Sequence, residues 1–452
     1  MRESGGVVDG PVPEGGALGG MAQVGTGPAG VRVALLSPTL ARGHYWFAVL
    51  HRLARIYARP RVFTGYWPGF TRATEGAFDV EVVGRTRFIR TSPTVTGYSN
   101  GFIYASPRVV PRLLRYRPHV VFTSAFSLWT LLTVALKPLG GWRIIVTWDG
   151  SSPRVDARNS RLRMIFRRFM ARYVDAFVTN TEAGRSYLTG TLGAAPRRVF
   201  ARPYQVADPE TLLARPMEVV GDVAPGTSPG DPPAAHPDPE AAQPRGAAVP
   251  ADYDDLPRPI FLFVGRIIQG KGLHTLIEAS ARLAAEGRTF SLVIIGSGPE
   301  RPALQRLAEE KGLADRIRWI DWVDYGWLGE HFRAADVFVF PSFEDVWGMV
   351  VLEAMTFGKP VICSRWAGAA ELVEDDVNGY VVDPRDPESL KAAMARMVDD
   401  AERIRAMGEA ARRTMEPHTP DHAAAFLRDV AVFTLTGSRS GTLTALHPEP
   451  DG

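Results

Sequence analysis

Short apolar runs alternate with longer amphipathic runs along two stretches of the sequence, and this alternation limits the fold more than any other feature. In the first stretch, VRVALLS (31–37) and HVVFTS (119–124) are rich in Val, Leu and Phe without alternating polar residues. In the second, PIFLFVG (259–265) and DVFVFPS (336–342) have the same character. Such strands are buried on both faces, and strand–helix–strand order requires parallel pairing with right-handed crossovers. We therefore predict an α/β protein with two doubly wound parallel sheets.

Segments rich in Gly, Pro and Ala bound these two stretches. The longest, residues 216–257, has too few large apolar side chains to form a core. Thr419 is a favourable N-cap and Pro420 a favourable first helical residue, which predicts a last helix over 421–435. The predicted organisation is a disordered extension (1–30), a first Rossmann-like domain (31–205), a linker or insertion (206–258), a second Rossmann-like domain (259–418), a helix that crosses back to the first domain (419–436) and a disordered tail (437–452).

Composition excludes several classes of protein. Lys and Arg number 52 and Asp and Glu number 49, so total charge does not indicate nucleic-acid binding. The single cysteine, Cys363, excludes an internal disulfide framework and a Cys-rich zinc site. No apolar run reaches the ~18–20 residues of a spanning helix, and residues 1–30 lack the pattern of a signal peptide. We expect a cytoplasmic protein.

Two apparent metal motifs carry little weight. Asp252-Tyr253-Asp254 matches an Asp-x-Asp metal motif but lies in the Pro-rich segment, with no strand before it. His418 and His422 are four residues apart, but Pro420 between them marks a helix start. We therefore expect no metal site and no resident cofactor.

The loop after PIFLFV is basic and rich in glycine. Its sequence, GRIIQGKG (265–272), nearly matches a nucleotide-triphosphate loop, but Gly272 stands where a magnesium-binding hydroxyl is needed. Arg266 and Lys271 nevertheless place two cations beside flexible backbone at a strand end, which suits a diphosphate. The alternative is a solvated basic loop.

The segment PSFEDVWGMVVLEAM (341–355) combines a strand end, an acidic loop and a helix start. A helix beginning near Met349 would direct its unpaired N–H groups and positive dipole end at a phosphate. Glu353 lies one turn into that helix, where it could accept hydrogen bonds from ribose hydroxyls, and Asp345 could reach sugar hydroxyls from the loop. The alternative is a capping acid and a solvated helix glutamate.

These motifs, with IIGSGPE (294–300) and GAAELVEDDVNGYVV (368–382), resemble the donor-binding domain of the family 4 retaining glycosyltransferases of the GT-B fold. The resemblance covers about residues 259–415. It implies two Rossmann-like domains facing across a cleft, a nucleotide-sugar donor, a hydroxyl acceptor and no metal. It also implies that the acceptor attacks from the donor's own face and that the departing phosphate oxygen takes its proton.

The resemblance also implies roles for individual residues. Arg266 and Lys271 would bind the diphosphate and stabilise the leaving group, and Glu353 would bind the ribose. The family pattern Glu-x7-Glu is altered, because Asp345 rather than Glu344 has seven residues between it and Glu353. Which of the two acids contacts the sugar stays open. The remaining implied donor-binding residues are Gly43, Gly265, Gly348, Met349 and Val350.

The first domain carries weaker signals. Gly43 and His44 follow the first strand, where the family often has a glycine-containing loop facing donor and acceptor; His44 could equally be an ordinary helix-start histidine. Asp149, in VTWDG (146–150), ends a later strand where many members have an acceptor-side histidine. Asp149 could orient or deprotonate the acceptor hydroxyl, and strand-end turn chemistry is the alternative.

Charge is divided unevenly between the two domains. Residues 31–205 contain 27 Lys and Arg against 7 Asp and Glu, a balance of +20, whereas residues 259–435 contain 20 against 27. The predicted helix over 160–173 interleaves Arg161, Arg163, Arg167, Arg168 and Arg172 with apolar side chains. Basic amphipathic helices bind anionic membrane surfaces. A peripheral position on the cytoplasmic membrane face and a lipid-linked acceptor are therefore candidates, with a solvated helix face as the alternative.

Two other functions remain open at this point. A GT-B-fold nucleotide-sugar epimerase would need catalytic acids in the cleft and no acceptor. The other is a non-catalytic sugar-nucleotide-binding or scaffold protein, and the presence of Arg266, Lys271 and Glu353 argues against it. A glycosyltransferase in cell-surface glycan or glycolipid assembly is the preferred interpretation.

Overall fold

The structure, a computed structural model, describes residues 30–40, 44–57, 60–67, 70–71, 76, 78–93, 99–156, 158–206, 209, 219–220, 252–323, 325–439 and 443. The predicted N-terminal extension up to residue 29 lies outside the described residues. So do most of the predicted insertion and most of the predicted tail.

The first domain is built on a parallel sheet of seven strands within the described residues. Its strands are β1 (Val33–Ser37), β2 (Arg61–Thr64), β4 (Asp79–Val82), β7 (Val120–Ser124), β8 (Arg143–Trp148), β9 (Ala176–Thr179) and β10 (Val199–Ala201). They pair in the order β10-β9-β8-β7-β1-β2-β4. The central strands are buried on both faces because neither face carries a polar alternate, as with Val120 and Val121.

Two small antiparallel pairs were not predicted. Strands β5 (Arg87–Pro93) and β6 (Ser99–Tyr104) form one, and β3 (Phe70–Thr71) and β11 (Val219–Val220) form the other. The segment RFIRTSP has no clear alternation of apolar and polar residues, so the sequence pattern did not indicate this hairpin.

Helices cover both faces of the first sheet. They are α1 (His44–Ile56), α2 (Val109–Tyr116), α3 (Leu128–Ala135), α4 (Lys137–Gly140), α5 (Pro153–Asp156), α6 (Arg161–Tyr173) and α7 (Glu182–Ser186). No helix in the described part of the chain is both long enough and apolar enough to cross a bilayer.

The second domain repeats this plan with six parallel strands. These are β12 (Ile260–Val264), β13 (Ser291–Ile295), β14 (Ile317–Ile320), β15 (Val337–Phe340), β16 (Val361–Ser364) and β17 (Gly379–Val382), in the order β14-β13-β12-β15-β16-β17. The intervening and following helices are α8 (Leu273–Ala285), α9 (Arg301–Glu310), α10 (Tyr325–Ala334), α11 (Met349–Thr356), α12 (Pro387–Val398) and α13 (Ala401–Met415). The strand order reverses between β12 and β15, where doubly wound sheets open a crevice for ligands.

The last helix, α14 (Pro420–Thr436), follows the second domain in sequence but packs into the core of the first. The Thr419 side chain caps it by accepting a hydrogen bond from the His422 N–H. Its apolar face is buried against α1 and the first sheet and includes Ala424, Phe426, Leu427, Val430 and Ala431.

The end of the predicted insertion packs on the second domain. Tyr253 is buried, and its hydroxyl lies 2.5 Å from His331 Nδ1. The Asp252 carbonyl accepts a hydrogen bond from Arg318, so the Asp-x-Asp segment forms part of a turn against β14. The ordered second domain thus begins several residues before β12.

Arg167 differs from the other arginines of α6. Its guanidinium donates to the carbonyl oxygens of Asp156 and Val155 and to the Tyr187 hydroxyl, and it lies 5.0 Å from the Trp148 ring centroid. Of the five arginines predicted to supply the basic face of this helix, Arg167 does not do so, because these contacts hold it toward the domain.

Candidate active site at the ends of the second sheet

The loop after β12 is pressed against the end of β15. Gly272 has φ +69°, and a side chain there would place its Cβ 2.0 Å from the Pro341 carbonyl oxygen. Only glycine permits this approach. The contact brings Lys271, one residue earlier, beside the loop that follows β15.

Lys271 and Asp345 form an ion pair at this junction. Lys271 Nζ lies 2.5 Å from Asp345 Oδ2 and 4.9 Å from the ring centroid of Phe340. Asp345 Oδ1 accepts a hydrogen bond from the Trp347 N–H at 3.1 Å. The two side chains are only 12% and 20% exposed, so the pair lies in a partly desolvated position. A diphosphate arriving here would compete with Asp345 for the lysine.

The start of α11 lies against the same phenylalanine. Gly348 has φ +95°, and a Cβ at this position would lie 3.0 Å from Phe340 Cε1. Helix α11 begins at the next residue, and the first amides of a helix, here those of Met349 and Val350, lack intrahelical acceptors. A cation and the positive end of a helix therefore meet at one strand end, which is an electrostatic arrangement for binding an anion.

Glu353 is held inside the domain. Its side chain is 7% exposed, and Oε1 accepts a hydrogen bond from the Tyr325 hydroxyl of α10 at 2.9 Å. Burial raises the pKa of Glu353 to about 7, and the bond from Tyr325 offsets part of that rise. Neutral and ionised forms are therefore close in free energy near neutral pH.

The other predicted donor-side residues lie at the same edge of the sheet. Gly265 follows β12, and its N–H donates to the Ile295 carbonyl at 3.0 Å, while Arg266 is half-buried beside it. Glu344 is half-buried in the loop before Asp345, and its carbonyl accepts a bond from the Ser342 hydroxyl. The fold thus brings the residues predicted in the second domain together at one end of its sheet.

The first domain meets this loop through the end of β8. Asp149 Oδ1 accepts a 2.5 Å hydrogen bond from the Tyr204 hydroxyl, and the Tyr204 ring packs edge-on against Trp347 at 5.6 Å. Gly150 lies so close to Val346 that a Cβ would be 3.2 Å from its carbonyl oxygen. Solvent still reaches Asp149, but the surrounding protein raises its pKa, and the bond from Tyr204 offsets part of this rise. A chain of contacts therefore connects Asp149 with Asp345 and Lys271.

Two residues after the first strand were predicted to face the site. Gly43, predicted to bind the donor, lies outside the described residues, and His44, predicted on the acceptor side, is the first residue of α1.

Two tyrosines at the site were not predicted. Tyr204 lies in the short segment RPYQV, and Tyr325 opens α10. Neither belongs to a motif that indicates chemistry, because each reaches its carboxylate across the fold rather than along the chain. A tyrosine beside a strand-end acid becomes recognisable only when the strand order is known.

Two family models match the chain. The model described as glycosyl transferases group 1 matches residues 254–414, and the model of glycosyltransferase family 4 matches residues 43–203. Together they span more than two thirds of the chain, one on each domain. The chain belongs to the family 4-like glycosyltransferases. Both the predicted family and the predicted GT-B fold are confirmed.

Individual relatives of this glycosyltransferase match over part of their length. The α-D-kanosaminyltransferase of Streptomyces kanamyceticus is 36% identical over 34% of this chain and 39% of its own. The D-inositol 3-phosphate glycosyltransferase of Geodermatophilus obscurus is 32% identical over 63% of this chain and 56% of its own. The chain thus spans 39% of the length of the first relative and 56% of the length of the second.

A solved structure shares the whole two-domain architecture. Anabaena HepE, crystallised in complex with UDP, superposes with a TM-score of 0.64 at 16% identity, covering 90% of this chain and 100% of HepE. At this identity the likeness shows the GT-B fold.

Proposed function

We propose that this protein is a retaining, metal-independent glycosyltransferase that moves a sugar from a nucleoside-diphosphate sugar to a hydroxyl acceptor. The observation that carries this proposal is the junction of Lys271, Asp345 and the start of α11 around Phe340. It supplies a cation and helix amides for a diphosphate and a carboxylate for a sugar within one partly desolvated crevice.

The reaction requires charge stabilisation at the leaving group more than any protein nucleophile. The bond between sugar C1 and the phosphate oxygen breaks as the acceptor oxygen bonds to C1 from the same face. The acceptor proton passes to the departing phosphate oxygen. Lys271 and Arg266 would stabilise the negative charge that grows on the diphosphate, and preorganised charges of this kind are worth most in a desolvated site.

Asp149 is the first-domain residue that we propose for the acceptor. Tyr204 fixes its carboxylate at 2.5 Å, and the contact of Gly150 with Val346 holds this strand end beside the donor loop. A carboxylate in this position would accept a hydrogen bond from the attacking hydroxyl and orient it. We propose an acceptor in cell-surface glycan or glycolipid assembly, with the enzyme peripheral on the cytoplasmic membrane face, because the first domain is strongly basic.

The test is release of nucleoside diphosphate from UDP-, GDP- and ADP-sugars, with and without candidate acceptors, in the presence of EDTA. We expect acceptor-stimulated release that EDTA leaves unchanged and a product with the donor's anomeric configuration. Interconversion of the donor sugar without an acceptor would instead indicate an epimerase. Nucleotide binding without any turnover would indicate a binding protein, and loss of turnover in EDTA would contradict metal independence.

A further inference from the structure

Helix α6 exposes a continuous apolar stripe. The exposed fractions are 71% for Leu162, 63% for Ile165, 52% for Phe166, 47% for Phe169 and 50% for Tyr173. Their spacing of three or four residues places all five on one face of the helix. Soluble proteins seldom leave several large apolar side chains contiguous and exposed without a partner for them.

The rotation of α6 about its axis is fixed by its other face. Met164, Met170 and Ala171 are buried, with Met164 and Ala171 in a core cluster of the first domain. Arg167 is tied by 2.5 Å and 2.7 Å hydrogen bonds to the Asp156 carbonyl and the Tyr187 hydroxyl. The apolar stripe therefore cannot turn inward without breaking these contacts.

Arginines border the stripe. Arg161, Arg168 and Arg172 are exposed and share one flank at spacings of seven and four, and Arg163 is exposed on the other flank. The helix contains no acidic residue, and its domain has a balance of +20. A protein partner would need acidic groups around an apolar centre, whereas an anionic bilayer supplies both a negative surface and an acyl boundary.

We propose that this α6 face, defined as Leu162, Ile165, Phe166, Phe169 and Tyr173 with their bordering arginines, rests on an anionic bilayer. The proposal rests on the proposed transfer to a membrane-presented acceptor and deepens it by naming the docking surface. The apolar side chains enter the headgroup region, and the arginines contact lipid phosphates.

The position of α6 in the fold relates this surface to the cleft. A connection of eleven residues that includes the short helix α5 runs from Asp149, just after β8, to Arg161 at the start of α6, and Arg167 ties α5 to α6. The helix then runs back along the domain, so Tyr173 lies near the opposite edge of the sheet, before β9. A bilayer under α6 would meet the rim of the cleft at its Arg161 end, where a lipid-linked hydroxyl could reach Asp149.

The proposal is tested by flotation of the full chain, without substrates, on phosphatidylcholine vesicles with and without phosphatidylglycerol. We expect binding to the anionic vesicles that is lost as salt rises. The double variant Arg161→Gln/Arg172→Gln should bind about 30-fold more weakly, at roughly fivefold per cation. Leu162→Ser/Phe166→Ser should bind the anionic vesicles at least about tenfold more weakly. Hydrogen exchange of residues 161–173 should slow on anionic vesicles.

Two matched variants act as controls. Arg405→Gln/Arg412→Gln removes the same charge from α13, and Val377→Ser removes an exposed apolar side chain from the second domain. Both should bind vesicles like the parent chain. The proposal would be overturned by equal binding to neutral and anionic vesicles or by no binding to either. It would also be overturned if the α13 variant lost as much binding as Arg161→Gln/Arg172→Gln. The proposal would also be overturned if the parent chain were a dimer in solution and Leu162→Ser/Phe166→Ser were a monomer. Nucleotide-sugar turnover on a soluble acceptor is measured separately, so failure of docking and failure of the proposed activity are distinguishable.

Discussion

At the residue scale, Lys271 and Asp345 form an ion pair in the proposed ligand-binding site. A lysine that already has a carboxylate partner remains buried without an uncompensated charge, and we propose that an arriving diphosphate replaces that partner. Arg266 lies at the same strand end, five residues earlier in the chain. Each cation is tested by its own substitution.

Lys271→Ala and Arg266→Ala should each reduce turnover at saturating donor by about 30- to 1000-fold. Each removes a contact that strengthens as phosphate departs, worth ~2–4 kcal/mol. Both residues lie in a strand-end loop, so both variants should still fold, but Lys271→Ala leaves the partly buried Asp345 without its ion-pair partner and should lower the unfolding temperature. Lys311→Ala, at the exposed end of α9, is the matched control and should retain full turnover. Near-normal turnover in both site variants would defeat the diphosphate assignment.

Glu353 and Asp345 should differ in the ligands that they affect. If Glu353 binds the ribose, Glu353→Gln weakens the intact donor and the free nucleotide alike. If Asp345 contacts the sugar, Asp345→Asn weakens the intact donor much more than the nucleotide. Calorimetric titration with both ligands separates these cases. A sugar-specific loss found only in Glu344→Gln would show that the acidic register is wrong.

The raised pKa of Glu353 predicts a pH dependence of stability. The pKa is about 7 in the folded protein against an ordinary value of 4.5, so the folded state holds its proton over a range where the unfolded state has lost it. The free energy of unfolding should therefore fall as pH rises from about 4.5 to about 7, by at most ~3 kcal/mol, and then level off. Urea unfolding at several pH values measures this decline. Glu353→Gln should flatten it, and an unchanged decline in that variant would assign it to other groups.

At the element scale, α14 connects the second domain back to the first. It follows the second domain in sequence, yet its apolar face completes the core formed by α1 and the first sheet. The ring of Phe426 is 2% exposed there, with the Arg202 guanidinium 6.0 Å from its centroid. The core of the first domain therefore includes residues that follow the second domain in the chain.

Phe426→Ala should lower the free energy of unfolding of the first domain by about 3–5 kcal/mol, because it leaves a cavity in a packed core. Val432→Ala, on the same helix but 36% exposed, should have a far smaller effect. Chemical unfolding followed by hydrogen exchange of first-domain strands measures both. Equal, small effects would mean that α14 does not support that core.

At the scale of the whole molecule, one carboxylate bridges the domains beside the cleft. Glu371 of the second domain accepts hydrogen bonds from the Glu182 and Ala183 N–H groups at the start of α7, the shorter ones at 2.9 Å. Partial burial raises the pKa of Glu371, and these backbone bonds offset part of that rise. The contact restrains the relative position of the two domains.

Glu371→Ala should increase hydrogen exchange at the Glu182 and Ala183 amides and enlarge the radius of gyration measured by X-ray scattering. The nearby exposed Glu374→Ala removes the same charge without touching α7 and should leave both quantities unchanged. Parent-like exchange in the Glu371 variant would mean that this bond does not hold the domains together.

Local sequence determined most of the fold and much of the candidate donor side. Buried strands without polar alternates require parallel sheets, a Thr-Pro pair starts α14, and the glycines of the β12 and β15 loops permit approaches that side chains would block. These features depend on residues close together in the chain, so the sequence pattern predicts them. The cations and acids of the candidate donor site follow such strand ends, where the sequence pattern predicted them.

Only the tertiary structure decided which distant groups meet. Tyr204 donates a hydrogen bond to Asp149, 55 positions away, and packs on Trp347, 143 positions away. No periodicity of the sequence predicts such pairings. In α6 the sequence pattern indicated a basic amphipathic helix, but contacts with a loop and with Tyr187 set its rotation and turned Arg167 inward. The local sequence pattern specifies whether a segment forms a strand or a helix. Packing between elements determines which residues it contacts and which of its faces is exposed.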